Sequence, residues 1–351
     1  MVRVVHMGIR LPTACIAVLM LSACTTTWSL RTSQPAVTLR WPPEPARAKV
    51  TYEESFNGLA PGSDSASLLR KIIVGEDDAR SAFILPVAVA VAHDGRIAVA
   101  DLGSRCVHLY LPAARRYLRL TGLDQEKLQS PVGLIFDDEA RLYVADSSGR
   151  VFAFDGDGAS RFTLHRAGAT ALQRPTGLAY SPDQKLLYVV DTLANRVDAF
   201  RPTGEFVFSF GERGDAVGRF NFPTHIFRSS AGELYVTDAL NFRVQVFDEQ
   251  GRVLGAFGHH GDGSGDLAMP KGLAVDKDGI IYVVDGLFDN VQLFNRRGDF
   301  LLTIGSRGVD FGEFWLPSGA FIDDDRLYLC DTYNRRIQVF RITEGYASSA
   351  S

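Results

Sequence analysis

The sequence predicts an all-β, six-bladed β-propeller, and three observations predict it. A proline-opened motif occurs six times, beginning at Pro86, Pro131, Pro175, Pro223, Pro270 and Pro317. Each copy ends its second apolar run on an aspartate: Asp101, Asp146, Asp191, Asp238, Asp285 and Asp331, at steps of 45, 45, 47, 47 and 46 residues. Glycine-containing turns divide most copies into four short apolar runs. A steady period in the forties with about four strands per unit marks a propeller blade, and six units close a ring.

Residues 1–23 carry Arg3, Arg10, an apolar run over 15–21 and the ending Leu21-Ser22-Ala23-Cys24. This is a secretory signal whose apolar core is too short to span a bilayer. Its ending resembles the lipobox of bacterial lipoproteins, which implies cleavage before Cys24 and acylation of that cysteine. Several acyl chains on one residue hold a protein at a membrane essentially permanently. Thr25 at the next position implies, within the same family, an outer-membrane address facing the periplasm. Residues 25–48 are rich in Thr, Ser and Pro without apolar periodicity, so 24–48 reads as a lipidated, extended tether. Residues 49–345 then form the propeller, and 346–351 a disordered tail. Removing the signal leaves 351 − 23 = 328 residues, enough for six blades and a linker with no second domain.

Within a repeat, the first strand follows the pattern of Gly272-Leu-Ala-Val-Asp276, and turns such as Asp278-Gly279 or Asp94-Gly95 join it to the second. The second, as in Ile281-Tyr-Val-Val-Asp285, is apolar at consecutive positions, as expected where neighbouring blades cover both faces. The third alternates and ends on an aromatic, as in Arg196 to Phe200, and a fourth follows at 117–122, 161–168, 206–211, 254–258 and 301–305. The last repeat lacks a fourth strand, and residues 68–75 before the first proline carry the fourth-strand pattern. That stretch is expected to complete the last blade and close the ring, removing exposed sheet edges. The strand-like run 49–56 is a candidate for the outer edge of that blade, with its place left open.

The elements P-x-G-hydrophobic-x-V-D, Y-V-x-D, N-R-[VI]-Q-x-F and the linkers 211–223 and 305–317 resemble NHL repeats across residues 68–341. The resemblance implies a six-bladed propeller and no single activity, because that family includes RNA binders, scaffolds and a lyase. The related amidating lyase holds zinc with several histidines at strand openings. Here the residues directly after each proline are Val87, Val132, Thr176, Thr224, Lys271 and Ser318, none of them histidine.

The repeated aspartates, and Arg105, Arg150, Arg196, Arg243 and Arg336 four or five residues later, read as turn and strand-opening structure, with Asn290 breaking the series. Cys106 and Cys330 read as small buried hydrophobes at positions matching Val197 and Val190, on different strands. Two residues after each proline stand Ala88, Gly133, Gly177, His225, Gly272 and Gly319, where inner strands crowd the channel. His225 breaks the small-residue rule, and either fills space or contacts a ligand or metal. His259 and His260, with Asp262 and Asp266 in a glycine-rich linker, are solvated surface or collect a weak zinc or calcium ion. No other cofactor is implied, and no nucleophile elbow, metalloprotease or phosphate-loop motif occurs.

Lys plus Arg number 37 against 41 Asp plus Glu, a net charge of −4 with mixed signs in the linkers, which argues against nucleic acid. The expectation is a monomeric, membrane-tethered scaffold that binds a protein or small-molecule ligand in the cell envelope. Its partner face is the one carrying Phe242, Phe288, Trp315, Tyr333 and Arg335, since aromatics with arginine dominate interface centres. The rival is a metal-assisted lyase or hydrolase at the channel around His225.

Overall fold

The computed structural model describes residues 26–62, 78–123 and 125–343. Five four-stranded antiparallel sheets and one six-stranded sheet form the blades of a six-bladed propeller. In the first blade the strands run from the inside outward as Pro86–Val91, Ile97–Asp101, Cys106–Leu111 and Arg116–Leu120. Second strands are the most deeply enclosed. Leu142–Asp146, Leu186–Asp191 and Ile281–Asp285 are buried at every residue, because apolar faces of two neighbouring blades meet over them. Tyr143, Tyr188, Tyr235 and Tyr282 recur at one position of that strand, fully buried. The Tyr188 hydroxyl donates to the Glu249 carbonyl of the next blade at 2.8 Å, so the tyrosine bodies fill the seams while their tips stay satisfied.

Antiparallel pairing gives the ring two distinct ends. In the first blade Pro86 lies opposite Asp101 at one end, and Val91 opposite Ile97 at the other. We call these the aspartate face and the hairpin face. The aspartates act as staples at the first. Asp101, fully buried, accepts from the N–H groups of Ile84 and Leu85 at 2.8 Å and of Gly103 at 3.0 Å, tying the incoming linker to the turn.

The ring closes as expected with an N-terminal strand in the last blade, but a different stretch supplies it. The last blade has the inside-outward order Ala320–Asp323, Arg326–Asp331, Arg336–Ile342, Val50–Pro61, Trp28–Ser33, with Arg40–Trp41 also paired to Val50–Pro61. The closing strand is therefore the 49–56 run left without a place, extended to Pro61. Residues 68–75, to which closure was assigned, lie outside the described residues, as do the signal, Cys24 and the 346–351 tail. Val50–Pro61 pairs with Arg336–Ile342 from Val50 to Phe56, and its Phe56 and Leu59 enter the core between the last and first blades. The expected tether is corrected as well. Trp28 and Leu30 pack on that same core, and Leu39 and Trp41 pack on the one between the fifth and sixth blades. These apolar residues, at successive gaps of 2, 9 and 2 positions, escaped notice because strands this short show no periodicity.

Candidate functional site

Inner strands meet around the axis at the positions singled out by their small residues. A side chain on Gly133 would lie 1.9 Å from the Thr176 carbonyl oxygen, and one on Gly177 would lie 2.7 Å from the His225 Cα. Glycine is required there because the next blade's backbone already occupies the space of a Cβ.

A cavity of about 390 Å³ opens from this constriction toward the hairpin face. Its walls include Val89, Leu134, Phe136, Leu178 and Ile226, its rim Asp137, Asp276 and Asp323, and His225 stands near its floor beside Gly133 and Gly319. The aspartate face, expected to bind the partner, is thus the opposite end from the cavity.

His225 is half-buried, and its Nε2 lies 3.1 Å from the Leu273 carbonyl in the fifth blade. A carbonyl only accepts, so Nε2 carries the proton and Nδ1 keeps a lone pair. Nδ1 has no hydrogen-bond partner among the described residues. Burial pushes the imidazole pKa down to about 4, with the Leu273 bond opposing, so the ring is neutral at physiological pH.

The rim carboxylates differ in what they already hold. Asp137 takes the Arg141 guanidinium at 2.6 Å and the Tyr143 hydroxyl at 3.1 Å. Asp276 accepts the N–H groups of Asp278 and Ile280 at 2.9 Å and the Tyr282 hydroxyl at 3.0 Å. Asp323 has no hydrogen-bond partner among the described residues, and burial raises its pKa against the opposing pull of His93. A neutral imidazole with a spare lone pair and an unpaired carboxyl in one apolar cavity suit an uncharged or cationic organic molecule that carries hydrogen-bond donors. Asp323 was not picked out from the sequence. Its only signal there is the run Asp323-Asp324-Asp325, where four of the five other hairpins carry glycine or alanine.

The other histidines do not join this site. His259 pairs with Asp266 at 2.7 Å in its own linker, and the His260 ring lies 4.4 Å from that of Phe242. Among the described residues no three His, Cys, Asp or Glu side chains converge to hold a metal ion, so the zinc or calcium site considered from the sequence finds no donor set there.

On the aspartate face, Trp315 and Tyr333 are exposed with their rings 5.6 Å apart, and Arg335 is exposed in a left-handed turn conformation. Phe242 and Phe288 are half-buried, Phe242 because its ring packs on His260. Selection by aromatic character missed Leu193, Leu240 and Leu287, all exposed and all two residues after a repeat aspartate, as Tyr333 is.

The first blade departs from the repeat. Cys106 lies opposite Asp101, where other blades place Arg196 opposite Asp191 and Arg243 opposite Asp238, so Cys106 matches those arginines and not Val197. Arg105 is instead the left-handed turn residue. Pairing with the repeat aspartate holds for Arg243 at 2.8 Å and Arg336 at 2.7 Å, while Arg196 turns to Asp198. Both described cysteines are free thiols. The Cys106 thiol lies 3.5 Å from His108 Nε2, which is 3.4 Å from Asp101, and Tyr117 caps Nδ1 at 2.9 Å. Burial disfavours the His108 imidazolium, but its bonds to Asp101 and Cys106 prevail and raise its pKa. Asp101, Cys106 and His108 are fully buried and only Tyr117 is partly exposed, so the group replaces the missing arginine as packing.

No protein family matches the chain by sequence, and no curated protein is similar to it. Solved structures do share its fold. A gluconolactonase from Xanthomonas campestris is 18% identical with a TM-score of 0.57, over 74% of this chain and 87% of that one. A virginiamycin B lyase from Staphylococcus aureus is 12% identical with a TM-score of 0.54, over 74% and 95%. A streptogramin B lyase is 10% identical with a TM-score of 0.53, over 74% and 84%. At these identities the likeness establishes the six-bladed propeller, and the resemblance to NHL repeats rests on the motifs alone.

Proposed function

We propose that the chain is a lipid-anchored envelope propeller that takes a small organic molecule into the cavity at its hairpin face and acts on it as a hydrolase or lyase. The observation that carries this is the pairing, in one apolar cavity, of a neutral His225 with a free Nδ1 and an unpaired Asp323. His225 would accept a proton or hydrogen bond from the substrate, and Asp323 would orient a donor or cationic group at the rim. A gluconolactonase and two lyases among the structures of like fold support an enzyme over a scaffold. No metal enters this proposal, since no donor set for one is found among the described residues.

A panel of small lactones, the class named by the gluconolactonase, tests the proposal on purified residues 25–351. The expected result is a rise in melting temperature with at least one member, and turnover lost by about 100-fold in His225→Gln, typical of a group engaged in proton transfer. Asp323→Asn should chiefly raise KM. Turnover equal in wild type and both variants would overturn it, as would the absence of any response to the panel and to fractionated bacterial metabolites. The anchor is tested separately: Cys24→Ser should abolish acylation and release the protein from the membrane fraction.

A further inference from the structure

We infer that the molecule taken into the hairpin-face cavity is an organic cation, with an apolar body between the inner strands and an ammonium group held at the rim by Asp323. This inference rests on the proposed reading of the cavity as the substrate site and adds to it the charge of the substrate.

Asp323 is free because its hairpin is one residue short. Six residues after the repeat prolines stand Ala92, Asp137, Ser181, Ser229, Asp276 and Asp323, each at or just past the end of its inner strand. In the four other repeats where this residue is polar, its side chain holds the turn that follows. Asp137 accepts the N–H groups of Glu139 and Arg141, Ser181 that of Gln184, Ser229 that of Glu233, and Asp276 those of Asp278 and Ile280, at 2.8 to 3.2 Å. Asp331 follows Pro317 by 14 residues, against 15 or 16 in the other repeats, and the missing residue belongs to this turn. Asp323 pairs directly with Arg326 across two residues, Asp324 and Asp325. So tight a turn needs no side-chain acceptor, and the Asp323 carboxylate is left over the cavity it lines.

The charge around the cavity is not balanced by the residues that line it. Asp137 and Asp138 already hold Arg141 and Lys185, and Arg228 is held by Glu249 and Asp183. Arg326 donates to Glu53 at 2.6 and 3.0 Å. There remain Asp276, Asp323 and Asp324 against Lys277 and His93, both exposed at the lip. Asp276 is 5% exposed and receives only neutral donors. Burial raises the pKa of Asp276 and of Asp323, the mark of carboxylates that lack a cation. A bound cation relieves that cost, a neutral molecule leaves it, and an anion adds to it.

The walls define the rest of the ligand. About 390 Å³ lined by Val89, Leu134, Leu178 and Ile226 is a site for an apolar body. Phe321 stands two residues before Asp323 on one strand, so the two share a face, and an aromatic beside a carboxylate suits an ammonium group. Among the described residues no three donors converge to hold a metal ion, so an extended organic cation matches the rim. With the bare Nδ1 of His225 near the floor, the bond acted on lies in the apolar body and the ammonium lies above it.

Three probes of one shape test this: phenylbutylammonium, phenylbutanol and phenylbutyrate, titrated calorimetrically into the purified protein. The ammonium should bind about ten-fold tighter than the alcohol, and the carboxylate more weakly than either. Asp323→Asn should remove that preference by weakening the ammonium and leaving the alcohol unchanged, and Asp323→Glu should keep it. Equal affinity of wild type for ammonium and alcohol overturns the inference and leaves the cavity as a substrate site. Turnover of a neutral lactone by protein that binds none of the three probes does the same. A preference that survives Asp323→Asn, or an equal loss of both probes in that variant, takes the ammonium away from Asp323 and overturns the assignment. No binding of any probe and no response to the lactones would overturn the inference and the proposed function together.

Discussion

At the residue scale, His225 and the repeat aspartates make opposite uses of burial. His225 keeps a depressed pKa of about 4 against an ordinary value of 6.5, so between these pH values the unfolded chain binds a proton that the folded chain refuses. Its neutral form is favoured in the fold, and stability should therefore fall as pH drops from 6.5 to 4, by about 1.4 kcal/mol per unit, and lose nothing further from this group below 4. Urea unfolding of wild type and His225→Gln across that window checks it: the difference in slope should vanish above pH 7. Asp238 is a buried charge that is fully engaged. It accepts from Asn221 N–H, Asn241 Nδ2, Arg243 Nε and Gln245 Nε2 at 2.7 to 3.0 Å. Asp238→Ala strands all four donors and should cost about 3–5 kcal/mol, measured by the shift in urea midpoint at unchanged slope. His225 was legible in the sequence because it breaks a column of small residues. Asp323 was not, since its lack of a partner depends on the geometry of its hairpin.

At the scale of elements, the repeat set the blades and the N-terminal segment was misjudged. Proline, aspartate and glycine recur often enough to mark strand ends, and five fourth strands fall where the pattern puts them, from Arg116–Leu120 to Phe300–Ile304. A segment used once has no repeat to reveal it. Trp28–Ser33 and Arg40–Trp41 look like tether in sequence, yet Trp41 meets Phe340 edge-on at 5.6 Å and Trp28 closes over Tyr117. Deleting residues 25–48 should therefore lower the melting temperature by roughly 5 °C or more, because two half-buried tryptophans are lost. Calorimetry of the truncated and full mature chains decides it, and equal melting would return the segment to a tether.

For the whole molecule, closure depends on one strand that comes from far away in sequence. Val50–Pro61 pairs with Arg336–Ile342 and joins the two ends of the chain in one blade. Truncation through Pro61 should expose the edge of Arg336–Ile342 and the apolar seam beside it, giving aggregation at micromolar concentration in light scattering, whereas truncation to residue 49 should stay monomeric. The sequence by itself determined the number of blades, their strand order and the structural role of the aspartates, because each is written six times in local spacing. Only the tertiary structure decided which segment closes the ring, which face holds the cavity and which column of turns stays exposed. Those properties arise where residues hundreds of positions apart meet, and the energies that choose among candidate strands are packing energies that no local pattern records.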